Sequence, residues 1–412
     1  MKFTKNSANL SRYADTVFGI VAKARKDIAE NGPDIATDAT LGSLFDEDGK
    51  LVAYDSVFNH YDNIDHRVKA AYASSFTGNP SFRKSVYEWA TQGADLDLNS
   101  SVIATPGGSG AVSTAITTFL DAGETLLYPN IGWESYALMA QENGINATSY
   151  NMFDGNAFDL KGLKEQVLEM MKKQDRVVIA INDPCHNPTG YSMTVEEWKD
   201  LISFLNDCSK THPCIVIDDI AYIDYSNDLD GSRNYMNTFN DITDNVLICI
   251  AFSCSKTVTS YGLRCGAAIV LGKDPEKVDE VEIVMEKKAR ATWSNIPNAA
   301  MENFTWVVNE NKDAFLKEKQ GYIDLMKKRS ALFLKEAKEC GLETYPYKEG
   351  FFVTLVMKDN DMRDKVHAAL MDKHIYTIQV NLGIRVAVCS LPVNKVYGLA
   401  QKMKDIIDQV NA

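Results

Sequence analysis

The sequence predicts an α/β protein with two domains. The larger has a mostly parallel sheet flanked by helices; the smaller is an α+β domain contributed by both chain ends. Three observations carry this. Between about residues 60 and 300, short apolar strands alternate with helical stretches. After Pro297 the pattern changes to a long helical region, two strands and a last amphipathic helix. Near the start, a one-sided helix needs another surface to bury against. The expected division is 1–57 with 298–412 as the small domain and 58–297 as the large one.

In chain order, residues 15–30 place Val17, Phe18, Ile20, Val21, Ala24 and Ile28 on one helical face, and Asn31-Gly32-Pro33 stops the helix. Residues 35–57 read as irregular, with turns at Gly42 and Asp48-Gly49. Strands are expected at 102–104, 126–128, 177–181, 215–217, 246–252 and 267–271. A helix over 194–209 opens with the capping box Thr194-Val195-Glu196-Glu197. The long helical region ends at Gly341, strands follow at 351–357 and 384–388, and a helix over 394–409 aligns Val396, Leu399, Met403, Ile406 and Ile407.

Composition narrows the function. The 412 residues are 45% hydrophobic and 24% charged, which suits a large buried core and excludes disordered, collagen-like and coiled-coil classes. No apolar run approaches membrane-spanning length, and Lys2, Lys5, Arg12 and Asp15 interrupt any signal-peptide core. The net charge of −13 argues against nucleic acid as a partner, although a few buried arginines can still hold a small anion. Eight cysteines form no CxxC pair and read as buried thiols in a reducing cytoplasm. Six histidines show no metal-binding spacing, so no metal is expected.

Several segments could carry chemistry. Thr105-Pro106-Gly107-Gly108-Ser109-Gly110 lies between a strand and an apolar helix, where free N–H groups suit an anion. Its spacing fits neither a dinucleotide fingerprint nor a P-loop. Asn187, in the turn Asn182-Asp183-Pro184-Cys185-His186-Asn187-Pro188-Thr189-Gly190, would sit at the carboxyl edge of a parallel sheet. Asp218 and Asp219 end one buried strand, and Phe252-Ser253-Cys254-Ser255-Lys256 puts a lysine after another. Arg264 follows, then Cys265-Gly266. Each segment also has a purely structural reading, as a turn, a strand terminator or a solvated side chain.

Taken in order, Asn187-Pro188-Thr189-Gly190, Asp219 with Tyr222, Ser253 with Ser255-Lys256, Arg264 with Gly266, and Arg385 resemble the class I aminotransferases. These are pyridoxal-phosphate enzymes of the aspartate and aromatic aminotransferase type, fold type I. The resemblance spans nearly the whole chain. Residues 38–42 and 45–49 look like its substrate-loop start, and Arg290-Ala291-Thr292-Trp293-Ser294-Asn295 looks like another family segment.

The resemblance implies roles. Lys256 holds the pyridoxal 5'-phosphate aldehyde as a Schiff base and moves the substrate proton. Asp219 pairs with the pyridine nitrogen, while Tyr222 and Asn187 bond the ring's phenolate oxygen. Gly108, Ser109, Ser253, Ser255 and Arg264 hold the phosphate. Tyr72 reaches the phosphate of the neighbouring subunit, or else is a core side chain. Trp133 stacks on the ring, with Tyr136 as the alternative. Arg385 grips the α-carboxylate, and Gly42 with Leu41 closes over the substrate. Arg290 binds a side-chain carboxylate, or is a surface residue. The expected activity is transamination between a dicarboxylic or aromatic L-amino acid and a 2-oxo acid such as 2-oxoglutarate. It would occur in a cytoplasmic homodimer with shared sites. The alternative is a carbon–sulfur β-lyase, or another amino-acid-transforming enzyme with the same cofactor. A DNA-binding regulator of this fold would need an added basic module, and the acidic charge argues against one.

Overall fold

The computed structural model describes residues 3–5, 8–11, 16–229 and 231–411; Arg12 and Asp15 lie outside them. Its centre is a seven-stranded sheet: β1 (Asn99–Thr105), β2 (Thr125–Pro129), β3 (Asn146–Tyr150), β4 (Val177–Ile181), β5 (Cys214–Asp219), β6 (Val246–Ser253) and β7 (Gly266–Gly272). The strands lie in the order β1-β7-β6-β5-β4-β2-β3. Only β7 runs antiparallel to its neighbours; the other pairs are parallel.

Strand alternation gives this sheet two apolar faces. Val178, Ile215, Ile217, Ala251 and Ala268 pack beneath α2 (Gly107–Phe119), α3 (Ser135–Glu142) and α6 (Pro275–Thr292). Ile179, Val216, Ile250 and Ile269 face the other way, in the core that holds Trp198 of α4 (Val195–Cys208). The expected capping box starts α4: the Glu197 N–H donates to Thr194 Oγ1 at 3.1 Å, and the Thr194 N–H donates to Glu197 Oε2 at 2.7 Å. The same alternation separates the two carboxylates that end β5. Asp218 accepts a bond from Tyr235 on one face, and Asp219 accepts one from Tyr136 on the other.

Strand β3 was not expected from the sequence. It is a mostly exposed edge strand of polar residues. The long helical region is two helices, α7 (Asn298–Glu310) and α8 (Lys312–Cys340), separated at Asn311. Gly341 caps α8 in the left-handed region at φ 72°.

A second sheet, of β8 (Phe352–Val356), β9 (Ile378–Val380) and β10 (Gly383–Ala387), is antiparallel in the order β8-β10-β9. The helix expected over 394–409 is a short turn, Val393–Val396, followed by α9 (Leu399–Asn411). Gly398, at φ 72°, sits between them, and its N–H donates to Glu336.

Helix α1 (Thr16–Asn31) joins this second sheet. Ile20 and Ala24 pack on Tyr376 and Ile378, and Thr37–Asp38 pairs in parallel with Ile375–Tyr376. Asp27 fixes the contact by accepting bonds from Tyr376 Oη at 2.9 Å and His374 Nδ1 at 2.7 Å. Phe18 does not share the buried stripe; it is 68% exposed. Among the described residues, no helix is long and apolar enough to cross a membrane.

Candidate active site

Parallel strands β4, β5 and β6 end at one edge of the sheet, where open α/β sheets bind ligands. A cavity of about 310 Å³ opens there. Gly108, Ser109, Trp133, Asn187, Asp219, Tyr222, Ser253, Ser255, Lys256 and Arg264 all line it. Ten candidate residues, drawn from segments spread over more than 150 residues, thus line one space. Ser43, Asn182, Ala221 and Tyr261 complete the wall. Tyr261 lies in a loop without a motif, so sequence reasoning missed it.

Lys256 lies on α5 (Cys254–Thr257), the single turn that follows β6, with Ser253 as its N-cap. Its Nζ donates to the Gly42 carbonyl at 2.9 Å and lies 4.6 Å from the Tyr261 ring centroid. Burial pulls the lysine pKa down to about 8; the cations Arg264 and Arg385 pull the same way, while Cys389 and Asp219 oppose them. A side chain at Gly42 would strike the Phe352 ring at 2.7 Å, so glycine lets this loop approach the lysine.

Asp219 is buried at the end of β5. Burial pushes its pKa up to about 6, against the pull of the Tyr136 hydroxyl, the Ala221 N–H and the Lys256 charge. Tyr136 Oη donates to Asp219 Oδ2 at 2.6 Å, and the Ala221 N–H donates to Oδ1 at 3.2 Å. Asn182 Nδ2 donates to the Asp219 carbonyl at 2.6 Å, and Asn182 Oδ1 accepts the Asn187 N–H at 2.7 Å. One amide therefore couples the ends of two neighbouring strands. Tyr222 is buried against Phe351 and Phe352, and burial raises its pKa.

Opposite the lysine, the N-terminus of α2 presents N–H groups that have no partner within the helix. Gly107 has φ 74°, and a Cβ there would lie 2.5 Å from Arg264 Nη2. This glycine therefore makes room for the guanidinium. Arg264 Nη1 donates to Ser255 Oγ at 3.2 Å and to the Tyr261 carbonyl at 2.7 Å. A helix N-terminus, two serines and an arginine thus line the same cavity, a set of donors suited to an anion.

Arg385, on β10, reaches across to the same edge. Its Nη1 donates to Asn187 Oδ1 at 3.1 Å, its Nη2 donates to the Thr40 carbonyl at 2.8 Å, and its guanidinium lies 4.4 Å from the Phe352 centroid. The side chain is buried, Nε has no partner, and no carboxylate lies within ion-pair distance among the described residues. A buried cation supported only by the more distant Glu134 charge is costly, and an anionic ligand lowers that cost. Arg385 lines a second recess of about 300 Å³ together with Val17, Phe18, Glu134, Ile378 and Val380. Trp133 and Asn187 line both spaces, so the two adjoin.

Three expectations need sharpening. Tyr72 is 86% exposed, which rules out its core reading within this chain. Tyr136 is fully buried with its hydroxyl on Asp219, so it is no substitute for Trp133 on the ring face. Arg290 enters neither space of its own chain: it donates to Ser294 Oγ at 2.6 Å and lies 4.7 Å from the Phe76 ring centroid.

The family model described as aminotransferase class I and II matches residues 64–402. The mitochondrial aspartate aminotransferase of Schizosaccharomyces pombe is 24% identical over 290 residues, 69% of this chain and 63% of that protein. The aromatic-amino-acid aminotransferase of Paracoccus denitrificans is 27% identical over 54% of this chain and 56% of its own length. The chain thus matches less than two thirds of either relative. A crystal structure of an aminotransferase from Anaerococcus prevotii superposes with a TM-score of 0.95 at 33% identity, covering 98% of this chain and 99% of that one. An aromatic-amino-acid aminotransferase from Burkholderia pseudomallei, covalently bound to pyridoxal phosphate, shares the fold with a TM-score of 0.78 at 18% identity over 99% of this chain and 100% of that one.

Proposed function

The chain belongs to the class I and II aminotransferases, and from that premise we propose that it is a pyridoxal-phosphate-dependent aminotransferase. It exchanges an amino group between a dicarboxylic or aromatic L-amino acid and a 2-oxo acid such as 2-oxoglutarate. The observation that carries this reading is the pairing of Lys256 with Arg385. An amine of lowered pKa and an unpaired buried guanidinium serve adjoining spaces.

The residues present fit the cofactor. The cradle of Gly108, Ser109, Ser253, Ser255 and Arg264 suits its phosphate, with Tyr72 of the partner subunit as a further donor. Asp219 suits its ring nitrogen, Asn187 and Tyr222 its phenolate oxygen, and Trp133 the ring face. When bound, pyridoxal phosphate supplies an aldehyde and a ring that accepts the electron pair left when the substrate Cα–H bond breaks. Lys256 Nζ is the amine that would hold this aldehyde and, when free, would take a proton from the substrate Cα. A pKa of about 8 keeps a useful share of that amine neutral near pH 7–8. Arg385 binds the substrate α-carboxylate through its fork, steadied by Asn187 and the Thr40 carbonyl, and Gly42 closes from above.

Val17, Ile378, Val380 and Trp133 offer apolar walls to an aromatic side chain. A second carboxylate would be taken by Arg290 of the partner subunit. That arrangement needs a two-fold dimer with sites at the interface. Sedimentation at assay concentration should show the dimer, and active monomers would contradict it. Eight free cysteines suit a reducing cytoplasm.

Borohydride treatment of the loaded protein should fix the cofactor on Lys256, located by peptide mapping. A label on another lysine overturns the assignment. Mixing the loaded protein with one amino acid should yield one equivalent of 2-oxo acid and then stop until an acceptor is added. Continuous release of thiol from a cysteine conjugate would instead mark a β-lyase.

A further inference from the structure

We propose that Tyr136 is a positioning residue whose phenol fixes the direction and the charge of the Asp219 carboxylate. The proposal rests on the reading of Asp219 as the partner of the cofactor's ring nitrogen. It adds a residue that touches neither cofactor nor substrate.

Tyr136 sits in the first turn of α3, on the same side of the sheet as Asp219, and is fully buried. Its Oη donates to Asp219 Oδ2 at 2.6 Å. Asp219 Oδ1 has only the Ala221 N–H, at 3.2 Å. Hence the phenol makes the shorter of the two bonds that orient this carboxylate. Its ring also meets Trp133 edge-on, with centroids 5.5 Å apart and planes at 82°. Tyr136 thus stands behind both the residue assigned to the ring nitrogen and the residue assigned to the ring face.

The charged and titratable groups facing Asp219 are Tyr136 from α3, Tyr222 from the loop after β5, Lys256 from α5 and its strand neighbour Asp218. Of these, Tyr136 and Lys256 favour the ionised form. A bound cofactor would bring its ring nitrogen to Asp219 and alter the lysine amine, so the phenol's own effect on the charge is read in the cofactor-free protein. A carboxylate that loses a donor titrates at a higher pH, and a hydrogen bond to a charged group is worth about one to two pH units. Once neutral, Asp219 no longer supports a protonated ring nitrogen.

The test uses Tyr136→Phe, which keeps the ring and its contact with Trp133 and removes only the hydroxyl. In the full-length protein freed of cofactor, the Asp219 carboxyl band is followed by infrared titration and identified by its loss in Asp219→Asn. The band should titrate about one to two pH units higher in Tyr136→Phe than in the parent. In the loaded protein, kcat should fall while KM for the amino acid stays within about twofold. An unchanged Asp219 titration overturns the proposal. If that titration shifts but borohydride labels a lysine other than Lys256, the positioning role stands and the cofactor assignment falls.

Discussion

Asp219→Asn should lower turnover by at least about 10²–10³-fold, measured as the first-order rate of a single half-reaction. Asparagine keeps the shape of the side chain but removes the charge proposed to stabilise a protonated ring nitrogen. The phosphate cradle lies on other elements, so cofactor should still bind. Asp218 cannot take over, because it lies on the opposite face of the strand, bonded to Tyr235. Near-parent turnover would therefore show that no carboxylate acts as the electron sink's partner. In the cofactor-free protein burial raises the Asp219 pKa to about 6, so infrared titration should show its carboxylate gaining a proton as the pH falls through that region. The variant should lack this titration.

Arg385→Ala should depress kcat/KM for aspartate and phenylalanine alike, since both carry an α-carboxylate. Removing one partner of a desolvated charge pair costs about 2–5 kcal/mol, or roughly 30- to 5,000-fold. Arg290→Ala should depress kcat/KM for aspartate and glutamate and leave phenylalanine nearly unchanged. Half-reactions with one amino acid at a time keep the acceptor's own carboxylate out of the measurement. If Arg290→Ala has no effect on aspartate, the dicarboxylate reading fails and the aromatic one remains.

Much of the cavity around Lys256 was readable because Asp219, Ser253 and Lys256 lie at or just beyond the ends of apolar strands. A run such as Ile215-Val216-Ile217 announces a buried strand, and the polar residue that stops it falls at the sheet edge. Lys256 after β6 and Asn187 after β4 follow the same rule. Alternation along β5 decides between Asp218 and Asp219, but only once the partners on each face are known. The substrate side was less readable. Val17 and Phe18 look like members of an apolar helical stripe, and nothing near them in sequence shows that they line a recess with Ile378 and Arg385. Tyr136 has the same difficulty, because its partner lies 83 positions away. Strand β3 escaped notice for a local reason: Asn146-Ala147-Thr148-Ser149-Tyr150 carries almost no apolar signal, and an edge strand needs little. The break at Asn311 uses neither glycine nor proline, so it too leaves no mark.

The two adjoining spaces share Trp133 and Asn187 but differ in the rest of their walls. The cavity holding Lys256 is walled by residues 43–264, whereas the recess beside it adds α1 near one end and β9 and β10 near the other to residues 132–135. Under the proposed function, side-chain preference can therefore vary in the outer segments, Arg385 apart, while the residues around Lys256 stay fixed. Libraries varied at Val17, Phe18, Ile378 and Val380 explore specificity at little risk to cofactor retention. Exchange of both outer segments with those of a relative should transfer substrate choice as a cassette.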